Sequence, residues 1–255
     1  MAKKIIVGNW KMHPVTLEEA RELAKKTAAV ALRQKGVGVI VAPPFPFLWA
    51  VHDAAPKLTV AAQDIFWEKS GAYTGEISVG QMRACGASYA IIGHSERRMH
   101  LGETDVMVGK KVRAALAGGI RPIVCVGERE REGDDIPAMV GEQVRAALAG
   151  VKKPECTRLL IAYEPVWAIS TNSDGRPDTP DDCLRATLFI RKIVAELFGH
   201  TTARALSILY GGSVRPDNIR GFVDRGGVQG ALVGGASIDA TVFAELIVAA
   251  SHPSS

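Results

Sequence analysis

The sequence predicts an α/β protein of the closed (β/α)8 barrel class, formed as a single domain over residues 1–255. Three observations carry the prediction. Short, continuous, β-branched apolar runs recur eight times along the chain, and a continuous rather than alternating run is how a strand buried on both faces reads. Stretches with helical spacing separate most of them. Polar or glycine-rich residues follow the runs directly, as at the mouth of a parallel barrel, where every strand points its C-terminal end to one face. A doubly wound sheet is built from the same units, and periodicity does not count strands around a ring. The number of units in 255 residues favours the barrel.

The first run, 5–8, leads into Asn9, Trp10 and Lys11. A helix over 16–26 follows, opened by Thr16 and Glu19 at capping-box spacing. Runs at 37–42 and 58–62 come next, then a long connection over 63–76. The fourth run, 89–93, stops at His94, Ser95 and Glu96, and a helix is expected over 105–116. The fifth, 123–127, ends at Glu128 and precedes a helix over 136–148. The sixth, 159–163, stops at Glu164 and Pro165, with a helix over 180–197 beyond a polar loop. The seventh, 206–210, closes on Gly211, Gly212 and Ser213; the eighth, 230–235, contains Gly234 and Gly235 and precedes a helix over 240–250.

Composition narrows the function classes. The chain is 47% hydrophobic and 23% charged, ordinary for a globular enzyme. Its +4 charge is dispersed, without the basic block and interleaved aromatics of a nucleic-acid surface. Cys85, Cys125, Cys156 and Cys183 are far apart and have no histidine company, so neither a zinc site nor a redox pair is expected, and no metal. Too few apolar residues follow Lys3 and Lys4 for a signal peptide or membrane span, which favours a cytoplasmic protein with reduced thiols. No G-x-G-x-x-G opens the first strand–helix turn, so no nucleotide cofactor is indicated.

The candidate chemistry lies at the strand ends. Glu164, held out of helical angles by Pro165, is either a solvated charge or a general base, the latter if burial raises it from the usual value of about 4.3. His94 at a helix opening is either a core histidine or a neutral ring donating a hydrogen bond to a carbonyl, since backbone N–H groups there disfavour an imidazolium. Lys11 is a surface lysine or a fixed cation; Asn9 shares its face by period-two alternation, and Glu96 is a candidate ion-pair partner for it. Each glycine pair alone reads as a tight turn. On neighbouring strands seven and eight, the two pairs together with Ser213 point to a phosphate cradle. A carboxylate, a histidine, a lysine and a phosphate cradle suffice to move a proton beside a carbonyl in a small phosphorylated sugar.

These residues sit in longer motifs: Gly-Asn-Trp-Lys-Met at 8–12, Gly-Ala-Tyr-Thr-Gly-Glu-Ile-Ser at 71–78, Ile-Ile-Gly-His-Ser-Glu-Arg-Arg at 91–98, Ala-Tyr-Glu-Pro-Val-Trp-Ala-Ile at 162–169, Tyr-Gly-Gly-Ser-Val at 210–214 and Leu-Val-Gly-Gly-Ala-Ser at 232–237. From first strand to last the sequence resembles the triosephosphate isomerase family, the founding TIM barrel. The resemblance implies Glu164 as the base that moves a proton between C1 and C2 of dihydroxyacetone phosphate, giving glyceraldehyde 3-phosphate in glycolysis and gluconeogenesis. It implies His94 as neutral electrophile, Lys11 as electrostatic stabiliser beside Asn9, and Glu96 as the group orienting Lys11. The family's pairing of a carboxylate base with a neutral histidine is itself an established example of acid–base chemistry tuned by environment. Phosphate falls to Ser213, Gly234, Gly235 and the N–H of Ser170, with no cofactor. A homodimer through the 63–76 loop is implied, since in the family this loop reaches a second subunit.

The resemblance also makes the segment after Glu164 a lid that excludes water and protects the enediolate. Here the sequence departs from the family's Ala-Ile-Gly-Thr-Gly-Lys-Thr-Ala: residues 168–179 read Ala-Ile-Ser-Thr-Asn-Ser-Asp-Gly-Arg-Pro-Asp-Thr, which is longer, with Ser170 in place of a glycine. The altered lid leaves open an alternative substrate, a four-carbon ketose phosphate. A phosphate-binding lyase has no use for His94 paired with Glu164, and a non-catalytic binding protein has no reason to keep both with Lys11.

Overall fold

Eight parallel strands hydrogen-bond in sequence order and close on themselves in the computed structural model, which describes residues 3–131, 133–169 and 178–251. The strands are β1 (Lys4–Asn9), β2 (Val37–Ala42), β3 (Thr59–Ala62), β4 (Ala87–Ile92), β5 (Arg121–Val126), β6 (Leu160–Tyr163), β7 (Ser207–Tyr210) and β8 (Gly230–Val233). Closure is direct: β1 pairs on one side with β2, Lys4 opposite Val37, and on the other with β8, Ile5 opposite Gly230. The expected barrel is therefore the observed one.

The helices between strands are α1 (Leu17–Ala31), α2 (Leu48–Ala54), α3 (Val79–Ala84), α4 (Ser95–His100), α5 (Asp105–Gly118), α6 (Ala138–Leu148), α7 (Lys153–Cys156), α8 (Pro180–Phe198), α9 (His200–Ala205), α10 (Ile219–Arg225) and α11 (Ala240–Ser251). The capping box expected at Thr16 and Glu19 opens α1, and Thr179 caps α8. Helix α4 starts at the helix opening expected after His94, whereas the short helices α2, α3, α7, α9 and α10 have no counterpart in the sequence pattern, because a helix of one or two turns carries too little periodicity to register.

Strand residues bury alternately into two layers. Val7, Ile40, Ala61, Ile91, Ile123, Leu160, Leu209 and Leu232 belong to a cluster inside the ring. Ile6, Val41, Val60, Ile92, Val124, Ile161, Ile208 and Val233 pack outward with the helices. Both faces are buried, which is why the runs carry no alternation in sequence. The glycine pair 234–235 lies past the end of β8, not within it as the run 230–235 implied, because Gly235–Ser237 forms a 3-10 turn.

Candidate active site

Past Asn9 the chain turns sharply, and Lys11 takes φ = 53°, a left-handed conformation that costs a side-chain-bearing residue roughly 1–3 kcal/mol. Three contacts hold it there. The Lys11 N–H donates to Asn9 Oδ1 at 3.1 Å, the Lys11 carbonyl accepts from Gln63 Nε2 at 2.7 Å, and Nζ meets Glu96 Oε1 at 2.5 Å. The ion pair expected between Lys11 and Glu96 is present. Period-two alternation is not what unites Asn9 and Lys11: Lys11 lies beyond the extended strand, and the bond across the turn brings them together.

His94 is the residue on which α4 begins. Gly93, with φ = 75°, swings the chain out of β4. Its N–H donates to Glu103 Oε2 at 3.1 Å and its carbonyl accepts from Arg98 Nε at 2.7 Å, so the turn is gripped from both sides. His94 Nδ1 accepts the Glu96 N–H at 3.2 Å. A ring nitrogen that accepts carries no proton, so the hydrogen-bond pattern assigns a neutral imidazole with its proton on Nε2. That nitrogen stands 3.3 Å from Glu164 Oε1.

Glu164 follows β6 and is 2% exposed. Its Oε2 accepts the Ser95 N–H at 3.0 Å. Pro165 after it is extended, and the Glu164 N–H continues the sheet by donating to Val126 O at 2.8 Å. Cys125, on the inner face of β5, lies against the carboxylate: burial first, then the charge of Glu164, hold the thiol well above its ordinary pKa, leaving it a neutral S–H donor. Sequence reasoning passed over this cysteine as a base-side partner, since its neighbour lies on the next strand and strand inward parity was the only available signal.

Asn9, Lys11, His94, Glu164, Ser213, Gly234 and Gly235 line one cavity of about 240 Å³. Residues from opposite ends of the chain are thus brought to one mouth, as the strand-end pattern implied. Glu96 stands behind it, holding Lys11. A Cβ built on Gly235 would meet nothing within 4 Å, and one on Gly234 would reach Lys11 Cε at 3.4 Å, so this backbone is open beside the lysine. The Ser213 hydroxyl donates to Ala168 O at 2.8 Å, tying β7 to the chain leaving β6. Ser170 lies outside the described residues, as do 171–177 of the expected lid. A larger cavity of about 480 Å³ touches the other side of Glu164, but it lacks Lys11, His94 and the glycine turns. Among the described residues no three His, Cys, Asp or Glu side chains are placed to hold a metal ion, and no helix is long and apolar enough to cross a membrane.

Comparison with known proteins gives the same family along nearly the whole chain. A family profile described as triosephosphate isomerase matches residues 4–250. Among similar curated proteins, the triosephosphate isomerase of Moorella thermoacetica is 47% identical over 97% of this chain and 98% of its own length. That of Caldanaerobacter subterraneus subsp. tengcongensis is 45% identical over 97% and 99%, and that of Citrifermentans bemidjiense 43% identical over 97% and 98%.

Proposed function

The chain belongs to the triosephosphate isomerase family, and from that premise we propose that Glu164, His94 and Lys11 carry the reaction while Gly234, Gly235 and Ser213 receive the phosphoryl group. The enzyme is an aldose–ketose isomerase that interconverts dihydroxyacetone phosphate and glyceraldehyde 3-phosphate. The observation that carries the residue assignment is the junction of Glu164 Oε1 with His94 Nε2 at 3.3 Å, while Nδ1 is occupied by a backbone N–H.

Glu164 leaves the Ser95 N–H and takes a proton from C1. The C–H electron pair becomes the C1=C2 bond, and the carbonyl oxygen takes up negative charge. His94 Nε2–H and Lys11 Nζ stabilise that oxygen, preorganised donors being worth most where water is excluded. His94 gives its proton to O2 and recovers one from O1, and Glu164 returns its proton to C2. C1 is oxidised as C2 is reduced by the same proton shifts, so there is no net redox change and the cycle calls for no external oxidant or reductant. The cavity is below the size usual for drug-sized ligands and suits a three-carbon phosphate.

The family resemblance also supports a homodimer through the 63–76 loop, with all of 1–255 acting as one catalytic domain in the cytoplasm. Phe66, Trp67 and Tyr73 cluster in that loop, yet Tyr73 is 45% exposed, and Met12 and Val15 beside Lys11 are 88% and 81% exposed. Such apolar exposure around a catalytic lysine is what a partner subunit would cover. A single monomeric species by sedimentation at micromolar concentration would remove the dimer. A coupled assay with glyceraldehyde 3-phosphate tests the reaction itself; turnover indistinguishable from buffer, or a clear preference for a four-carbon ketose phosphate, would overturn it.

A further inference from the structure

The first and last strands meet beside the catalytic cavity, and their hydrogen-bond ladder stops one rung short. Ile5 lies opposite Gly230 and Gly8 opposite Val233, and the Ile5 N–H donates to Gln229 O at 2.9 Å. A parallel ladder repeats every two residues, each bonded residue donating to the position before its partner and accepting from the position after it. Continued past Val233, that pattern would set the Gly235 N–H on the Asn9 carbonyl. The chain does otherwise. Gly234 takes ψ = −112°, and Gly235–Ser237 winds into the 3-10 turn.

Ser237 supplies the missing rung from its side chain. Its hydroxyl donates to Asn9 O at 3.2 Å, while its own N–H donates to Gly234 O at 2.8 Å and fixes the turn. The residue is fully buried, and the fit around it is close: a Cβ built on Gly8 would stand 3.0 Å from Ser237 Cβ and 2.9 Å from Phe243 Cζ. A small side chain with a hydroxyl is what this space between β1 and α11 takes. With the Asn9 carbonyl satisfied in this way, the Gly235 N–H has no hydrogen-bond partner among the described residues, and Gly235 lies in the cavity wall.

We propose that Ser237 is a positioning residue for the isomerase reaction, whose hydroxyl takes over the terminal rung of the barrel and so keeps the Gly235 N–H free for the substrate phosphoryl group. The inference rests on the proposed phosphoryl cradle at Gly234 and Gly235. A buried carbonyl is costly to leave unpaired, so without the hydroxyl the next donor in register, the Gly235 N–H, is drawn to Asn9 O and lost to the ligand. The same bond steadies Asn9, whose Oδ1 accepts the Lys11 N–H at 3.1 Å. One buried hydroxyl therefore sets the cradle against the turn that carries the lysine.

The experiment measures kcat and KM for glyceraldehyde 3-phosphate, the dissociation constant of inorganic phosphate by calorimetry, and amide hydrogen exchange at Gly235 and Val233 by NMR, in wild type, Ser237→Ala and Ser237→Cys. In phosphate-free wild type the Gly235 amide should exchange at least about tenfold faster than that of Val233, and saturating phosphate should slow it. In Ser237→Ala the Gly235 amide should already be slow without phosphate. KM should rise and phosphate binding weaken about tenfold, the weight of one charge-assisted hydrogen bond, with kcat within about threefold. Ser237→Cys keeps a weaker donor in nearly the same volume and should fall between the two. A Gly235 amide as protected as that of Val233 in phosphate-free wild type would overturn the proposal. So would unchanged KM and phosphate affinity in Ser237→Ala, or a loss confined to kcat. Should Ser237→Ala fail to fold, the wild-type exchange rates and Ser237→Cys decide. A wild-type protein that neither isomerises nor binds phosphate would instead overturn the functional reading, while Gly235 exchange in the variants still reports whether the hydroxyl holds the rung.

Discussion

Two clusters of charged side chains sit within a few residues of each other on the same barrel and are built on opposite principles. In the scaffold cluster, Lys111 of α5 bonds Asp64 Oδ2 at 2.6 Å and Glu103 Oε1, while Arg97 of α4 reaches the same two carboxylates at 2.8 and 3.4 Å. Glu103 spends its second oxygen on the Gly93 N–H. In the reaction cluster, Lys11 has one carboxylate, His94 is neutral, and Glu164 is held by a backbone N–H and an imidazole, with all three open to a cavity. Two cations, buried Lys111 and half-buried Arg97, against two buried carboxylates make a strut. A carboxylate and a lysine with spare valence facing a cavity make a reagent. Gly93 joins the two, since the strut clamps the turn from which His94 departs.

The contrast is broken most sharply at Glu164. Replacing it with Gln keeps an acceptor for the Ser95 N–H, so the unfolding free energy should stay within about 1 kcal/mol of wild type while turnover falls at least roughly 10²–10⁴-fold, the usual contribution of a positioned base. Steady-state kinetics beside denaturant titration checks both halves, and near-normal turnover would end the assignment. Lys111→Met should do the reverse. Removing one partner of a buried ion pair typically costs about 3–5 kcal/mol, because the remaining carboxylates lose compensation. Urea unfolding should register that loss, while kcat of the folded protein stays within about threefold; a destabilisation under about 1 kcal/mol would show that the strut bears little.

The smallest effect sharpens the comparison through pH. Burial, opposed by Lys111, raises the Asp64 pKa from 3.8 to about 6. A carboxyl raised on folding contributes stability that is complete below its unfolded pKa and is lost as pH rises through the folded one. Between about pH 4 and pH 7 the stability of wild type relative to Asp64→Asn should therefore fall, by an amount on the order of 1–3 kcal/mol. Denaturant titrations of both proteins across that range measure it. A constant difference, or one growing in favour of wild type, would mean that Asp64 is an ordinary paired carboxylate and that the strut is electrostatically saturated.

Much of this protein was legible from local chemistry. Eight runs buried on both faces, each ending in polar or glycine residues, specify parallel strands and a single functional mouth before any contact is known. Glu164 before Pro165 and His94 before a charged helix opening stood out because carboxylates and histidines interrupt apolar runs at a cost. Gln63 and Cys125 did not stand out. The first lies in a long polar loop, and the second is an apolar-like residue in an apolar strand.

Residue identity and periodicity along the chain therefore determined the strands, the face on which they end and the kinds of group assembled there, because burial of a β-branched run and the angular limits of glycine and proline are local physics. Only the closed ring decided which nitrogen of His94 bears the proton, that Lys11 is turned into the left-handed region by Gln63 and Asn9, and that the Ser213 hydroxyl ties the end of β7 to Ala168. Those outcomes depend on hydrogen bonds between residues far apart in sequence, and such bonds acquire partners only when the barrel brings the strand ends together.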